Sequence, residues 1–406
     1  MIIEFSVANY LSFKDKTTLS LVSSGMKEQK IEDVDTTFVA GEAIPPLLHG
    51  TAIYGPNATG KSNLIKALSF FKWFVINSMK ELQVGERLPI EPFRLNAETS
   101  SEPSMFELSM AIGQDIYRYG FEADEKKIHS EWCYRRANKK RAKEVELFYR
   151  DNDTYSIHST YSLAKDLTSK NMVRDNALLL SVCAQFNDPT AKLIMEWLAD
   201  TTIITDRDDD RMWQEAALRL DDPVMRRRII TFSKYADLGI EDIHKINNDI
   251  ISTHVQYDNE GRVVQGIDFS FDKSASDGTI KYFRLAYPII NALDNGKRLI
   301  IDELDGKLHP NLTYALVSLF NSHHTNQKHA QLIFTLHDTT ILSGNLLRRD
   351  QIWFTEKNGK GASELFSLSE FKVRSNAPYQ RDYLAGKFGA TPITGDFQRL
   401  FIKDEE

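Results

Sequence analysis

The sequence has almost no cysteine. Cys133 and Cys183 are the only two, they lie far apart, and neither sits in a CxxC or Cys/His spacing. That excludes a disulfide framework and a zinc site, and it fits a reducing cytoplasm. Long apolar runs are also missing. No uncharged stretch of about 18 residues occurs, so no membrane span is expected. The opening Met1-Ile2-Ile3-Glu4-Phe5 lacks the basic and long apolar regions of a secretory leader. Nor is there an excess of positive charge. Fifty Lys and Arg stand against 57 Asp and Glu, for a net charge of −7, which argues against a surface given over to phosphate contacts. No internal repeat or low-complexity segment appears.

What remains is a chain of 406 residues with 42% hydrophobic and 26% charged content, ordinary values for a globular protein of two or three lobes. Ile2–Val7 and Thr17–Val22 read as strands. Thr51–Tyr54 is a short apolar strand that runs into a glycine turn, and Ser62–Asn77 follows as a helix rich in Leu, Ile, Phe and Ala. From Phe93 to Tyr155 the pattern is β-rich. Between about 160 and 245 it turns helical, with apolar residues three and four apart in Leu178–Phe186, Pro189–Ala199, Arg211–Arg219 and Val224–Ala236. Strands return at 263–273. They lead to the helix Asp277–Leu293, the strand Arg298–Ile301, a helix near 310–321 and the strand Gln331–Leu336. The expected class is α/β with a helical insertion: a first lobe at 1–155, the insertion at 156–245, and a second lobe at 246–406.

Gly55-Pro56-Asn57-Ala58-Thr59-Gly60-Lys61-Ser62 matches GxxxxGK[ST], with an apolar strand before it and a helix after. The glycines let the loop turn its amides inward around phosphate oxygens. The new helix points its positive end at the same place. Lys61 can reach the β- and γ-phosphates of ATP, and the Ser62 hydroxyl can ligate Mg²⁺. The loop alone thus predicts a P-loop NTPase.

Leu299-Ile300-Ile301-Asp302-Glu303 is an apolar strand that ends in two carboxylates. Asp302 would hold the Mg²⁺ shell, and Glu303 would orient and deprotonate the attacking water. The span from Lys61 to Asp302 is too long for a compact P-loop GTPase and fits a head whose two lobes are split by an insertion. Upstream, Ser276 is a natural N-cap for the helix that follows. Its hydroxyl, the Gly278 amide and the helix N-terminus together make a second anion site. His337 follows the next strand, Ile333-Phe334-Thr335-Leu336.

This order of motifs resembles the ABC-type ATPases related to SMC, RecF and OLD proteins. Leu308-His309-Pro310 is typical of the RecF/OLD branch. More narrowly, the chain resembles the prokaryotic AAA family ATPases of phage-defence and abortive-infection loci, such as the ATPase partners of the AbiL, RloA–RloB and PARIS systems. Phe5-Ser6-Val7-Ala8-Asn9-Tyr10, Ser12-Phe13, Pro92-Phe93-Arg94-Leu95, Gln351-Ile352-Trp353-Phe354, Tyr383-Leu384-Ala385-Gly386 and Gly389-Ala390 carry that likeness. The resemblance implies that Ser276 and Gly278 touch the γ-phosphate bound by a second copy, so that two protomers sandwich two ATPs. It makes His337 the switch histidine and puts the turn at Asn9 and Tyr10 near the adenine. There are two departures. The signature reads Ala275-Ser276-Asp277-Gly278-Thr279 rather than Leu-Ser-Gly-Gly-Gln, and neither Gln83 nor Gln114 has the context of a Q-loop glutamine.

The expected function is an ATP-hydrolysing ABC-type ATPase in the cytoplasm, working as a homodimer or larger oligomer. It would be the sensor of an antiviral defence system that controls a separate effector or toxin protein. No TOPRIM nuclease fits after His337, and no Arg-x4–6-His motif of HEPN ribonucleases appears. The rival reading is a RecF-like DNA-repair ATPase that binds nucleic acid. Arg135, Arg136, Lys139, Lys140, Arg141 and Lys143 are expected to form a solvated hairpin tip, and Asp206 with Asp208, Asp209 and Asp210 an acidic turn.

Overall fold

The computed structural model describes residues 1–28, 34–83, 85–237, 239–247, 249–343 and 346–392. The last part of the expected second lobe, 393–406, lies outside the described residues.

Its centre is a six-stranded sheet. The strands Thr202–Ile204, Arg298–Ile301, Gln331–Thr335, Gly50–Tyr54 and Ile352–Lys357 lie in that spatial order and run parallel, with Ser363–Ser367 antiparallel at the edge. The inner strands are short apolar runs because both of their faces are covered. Ile53, Ile300 and Ile333 face the first core, while Ala52, Tyr54, Leu299, Ile301, Leu332 and Phe334 face the second. That division follows the two-residue period of a strand.

The first core is closed by a seven-stranded antiparallel sheet. It comprises Ile2–Ala8, Thr17–Ser20 and the five strands between Ser104 and Ile157. The helix Lys61–Asn77 lies between the two sheets, with Leu64, Leu68, Phe71 and Phe74 buried. It is apolar on most of its surface because it is covered from both sides. On the other face of the central sheet, the helices Asp277–Asn295 and Pro310–Phe320 pack through Tyr282, Leu285, Ile289, Leu316, Val317 and Phe320.

The 156–245 stretch is largely helical as expected, with helices Ser162–Ser169, Leu179–Gln185, Pro189–Ala199, Asp209–Arg219 and Pro223–Lys234. Two features depart from the reading. Thr202–Ile204 is an edge strand of the central sheet, paired with Leu299–Ile301. Ile240–Ile246 is a strand rather than helix, and it pairs with Asp249–Tyr257 and then Val263–Ser270 in a separate antiparallel sheet. A register shift between Ile240 and Asp242 turns Ile240 and Ile243 to the same buried face. The stretch also contributes to more than one core. Leu179, Ile194 and Trp197 join the first, while Ala216, Leu220 and Ile229 join a third with Phe271 and Phe283. No helix among the described residues is long and apolar enough to cross a membrane.

Candidate functional site

In register, Ile301 pairs with Phe334, Thr335 with Ile53, and Tyr54 with Phe354. The carboxyl ends of these parallel strands therefore lie level. The turns that leave them gather along one sheet edge, where open α/β sheets bind ligands.

The turn after Tyr54 is Gly55–Ser62. Gly55 and Gly60 have φ of 153° and 119°, which L-residues with a Cβ avoid. A Cβ on Gly55 would also collide with Thr355, and one on Gly60 with Ser363. The Thr59 hydroxyl hydrogen-bonds the Pro56 carbonyl at 2.8 Å and the Thr355 hydroxyl at 2.7 Å, which fixes the loop on its neighbouring strand. Gly60 caps the helix Lys61–Asn77 without any side-chain hydrogen bond, and the first turn carries no acid. The N–H groups of that turn are left for an anion. Lys61 is buried, and its ammonium donates to the carbonyls of Gly55 at 2.6 Å and Pro56 at 3.0 Å. Burial pushes its pKa down, against the pull of Asp302, Glu303 and Asp305.

The strand Gln331–Thr335 lies between the loop strand and the acidic strand, and its last residue organises the acidic turn. The Thr335 hydroxyl donates to Asp302 Oδ1 at 2.6 Å and accepts the Glu303 N–H at 2.7 Å. Glu303 has a φ of 51°, a left-handed conformation at a residue with a full side chain. Its carboxylate stands 3.7 Å from His337 Nε2, both groups being largely exposed. Asp305 accepts the backbone N–H groups of His337 at 2.8 Å and Asp338 at 2.6 Å, which holds the histidine at the strand end. Ser62, Asp302 and Glu303 line one cleft of about 470 Å³, shared with Lys281 and Lys307. The structure thus brings Lys61, Ser62, Asp302, Glu303 and His337 to one sheet edge.

Ser276 caps the helix Asp277–Asn295, accepting the Thr279 N–H at 3.1 Å. It is exposed and does not line the cleft. Gly278 packs close against the Lys307 carbonyl.

Asn9 is a correction. Its side chain is buried and fully engaged, donating to the carbonyls of Thr99 at 2.7 Å and Glu102 at 2.9 Å and accepting the Phe93 N–H at 3.0 Å. It clamps the 93–103 loop and has nothing left for a nucleotide. Tyr10 is packed between Phe70 and Phe106. The same turn does reach the phosphate loop, through Ser12, which accepts from Asn63 at 2.8 Å.

Gln83 and Gln114 do not line the cleft. Lys139, Lys140, Arg141 and Lys143 are exposed between the strands Ile128–Ala137 and Val145–Asp151, at a hairpin tip. Asp208 accepts from Thr205, and Asp209 pairs with Arg284; the side chain of Asp206 lies outside the described residues. No group of three or more His, Cys, Asp or Glu among the described residues could hold a metal ion.

Sequence reasoning missed Thr335, Asp305 and Lys281. Thr335 and Asp305 lie within three residues of predicted site residues, so their position was a usable signal. Lys281 had none beyond its place one turn into the capped helix.

A family model described as "AAA domain, putative AbiEii toxin, Type IV TA system" matches residues 51–343. No curated protein matches. Among solved structures, one of the recombination mediator protein RecF in the RecFOR pathway, described as RecF-ATPrS, is similar at 11% identity and a TM-score of 0.29, covering 90% of this chain and 98% of that one. A second, described as RecF-ATP, is similar at 12% identity and a TM-score of 0.29, covering 90% and 97%. The family match spans well over half of the chain, which belongs to this family of AAA domains. Its fold is that of an α/β P-loop NTPase, and the family's AAA domain makes it a nucleotide-binding protein.

Proposed function

We propose that this AAA-domain protein hydrolyses ATP between two copies of itself and serves as the sensor ATPase of a defence system, controlling a separate effector. The observation that carries hydrolysis is the Thr335 hydroxyl, which holds the Asp302 carboxylate and the Glu303 backbone N–H of the acidic turn beside the phosphate loop. Lys61 and the open helix end would take the phosphates, and Glu303 would take the proton of the attacking water. His337, 3.7 Å from Glu303, would bond the γ-phosphate and sense its loss. Ser62 and Asp302 offer the hydroxyl and carboxylate oxygens that Mg²⁺ favours, with nucleotide oxygens and water completing the shell. The ion would supply positive charge for the phosphate oxygens.

Ser276 stands exposed at a capped helix end outside the cleft, which supports its use on a nucleotide held by the other copy. The defence role draws on the family description, which names a toxin and a type IV toxin–antitoxin system. We propose three units: a first lobe at 1–155, an insertion at 156–245 and a second lobe at 246–406.

Glu303→Gln is expected to lower the turnover number by about a thousandfold or more while ATP still binds. It should also trap an ATP-dependent dimer, seen as a doubled solution mass. Unchanged turnover would remove Glu303 as the base, and a constant monomer mass would remove the sandwich. Failure to bind a neighbouring gene product in any nucleotide state would sink effector control. The exposed basic hairpin tip favours a second reading, a DNA-repair ATPase. That reading requires DNA to stimulate turnover with a steep salt dependence, and flat turnover across a DNA titration would remove it.

A further inference from the structure

The acidic turn is bent at two residues that carry side chains, Glu303 with φ 51° and Lys307 with φ 63°. Such a backbone persists only where its surroundings hold it. Two of the bonds on Glu303 come from the sheet edge and the turn itself: its N–H goes to Thr335 at 2.7 Å and its carbonyl accepts from Gly306 at 3.1 Å. A third comes from elsewhere. The ammonium of Lys281, on the helix Asp277–Asn295, donates to the same Glu303 carbonyl at 2.6 Å. Burial lowers the pKa of Lys281, while Asp305 and Glu303 pull it the other way.

The helix meets the turn at a second point. An ideal Cβ on Gly278 would lie 2.6 Å from the Lys307 carbonyl, so the first turn of the helix is pressed against the far end of the bend. Gly278 and Lys281 are three residues apart and share a helix face. One face of one helix thus grips the bend at Glu303 and at Lys307, and the same helix begins at Ser276.

We propose that Lys281 is a positioning residue, linking the Ser276 end of its helix to the backbone of Glu303 so that engagement of that end sets where the base stands. This rests on the ATPase reading. Lys281 does not touch the reacting atoms; it acts through the Glu303 carbonyl. When the helix end takes up an anion, movement of the helix carries the Glu303 backbone with it.

The test compares wild type, Lys281→Met and Lys281→Arg in steady-state ATP turnover, in affinity for a fluorescent ATP analogue, and in thermal melting. Lys281→Met should lower kcat about tenfold, with KM and nucleotide affinity within about twofold of wild type and Tm within about 2 °C. Lys281→Arg, which restores a cationic donor, should recover most of the loss. Turnover of Lys281→Met equal to wild type would overturn the proposal. So would a loss shared equally by KM and Tm that Arg does not rescue, since that is the signature of a packing defect. Should Lys281→Met fail to fold, Lys281→Ala, which removes the ammonium and adds no bulk at a helical position, is read by the same criteria. Wild type without turnover would sink the ATPase reading and this proposal together; wild-type turnover matched by Lys281→Met sinks this proposal alone.

Discussion

The turn after Gly50–Tyr54 and the turn after Arg298–Ile301 leave the same sheet edge, yet they are bent by different means. The first places positive φ mainly at glycine, at Gly55 and Gly60 with Ala58 between them. The second places it at Glu303 and Lys307. A glycine turn adopts its shape on its own conformational preference. A turn bent at Glu and Lys must be held by others, here by Thr335, Gly306, Lys281 and the close approach of Gly278. The phosphate loop is therefore bent by its own glycines, whereas the bend of the acidic turn is imposed by the tertiary structure around it. That suits the proposed role of Glu303 as a base whose position depends on what its neighbours are doing.

The sharpest way to break the comparison is to deny the first turn its glycine. Gly60→Ala adds a Cβ into Ser363 at a φ of 119°, and ATP affinity should fall about a hundredfold or more, measured by calorimetry. Next is the chief clamp on the second turn. Thr335→Val keeps the shape but removes both bonds to the acidic pair, so kcat should fall by about tenfold to a hundredfold, with nucleotide binding changed much less. A Thr335→Val enzyme that turns over normally would show that the acidic turn keeps its bend without this clamp.

A smaller effect sharpens the contrast from the other side. Lys307→Gly removes a side chain from a left-handed position, and its ion pair with Asp277 is largely exposed. Thermal stability should rise by up to about 1 kcal/mol. A fall would mean that the surroundings, not the residue, had already absorbed the strain.

The smallest effect lies away from both turns. His49 is buried, stacked on Phe38, with its ring nitrogens bonded to the Asp35 carbonyl at 2.7 Å and to His329 at 3.1 Å. Burial lowers its pKa, outweighing the Asp35 carbonyl. The folded state thus binds the proton less readily than the unfolded state. The stability His49 contributes is complete above an unfolded pKa of about 6.5 and is lost as pH falls below it. His49→Phe should flatten the decline in Tm between pH 7 and pH 5; an unchanged slope would move the titration elsewhere.

The same contrast explains what could be read from the chain alone. Gly55–Ser62 was legible because its requirement is local: glycines, a lysine and a hydroxyl in fixed order. Asp302 and Glu303 were legible as the end of an apolar strand. The central sheet could be foreseen from its strong apolar runs, but Thr202–Ile204 is only three residues long and lies against an acidic stretch. Ile240–Ile246 is interrupted by a bulge, so it lacks the two-residue alternation by which a strand is recognised. Asn9 was misread by analogy; its left-handed φ of 49° and four side-chain bonds belong to a clamp on a distant loop. Thr335 and Lys281 act through contacts between segments far apart in the chain, which composition and spacing do not carry.

The phosphate loop is bent by its own glycines but closed by a residue far along the chain, Ser363, which a Cβ on Gly60 would strike. The Ser363 hydroxyl bonds the Thr59 carbonyl at 2.5 Å and the Ser12 hydroxyl at 2.7 Å, and Ser12 in turn accepts from Asn63. The strand beside the loop, Ile352–Lys357, is also made late. During synthesis, Gly55–Ser62 leaves the ribosome some 300 residues before the hydroxyl that seals it, at roughly 5–20 residues per second. The loop waits on the order of half a minute for its last partner. Tight nucleotide capture then becomes a mark of a finished chain, and a prematurely ended one would carry the full phosphate motif without the means to close it.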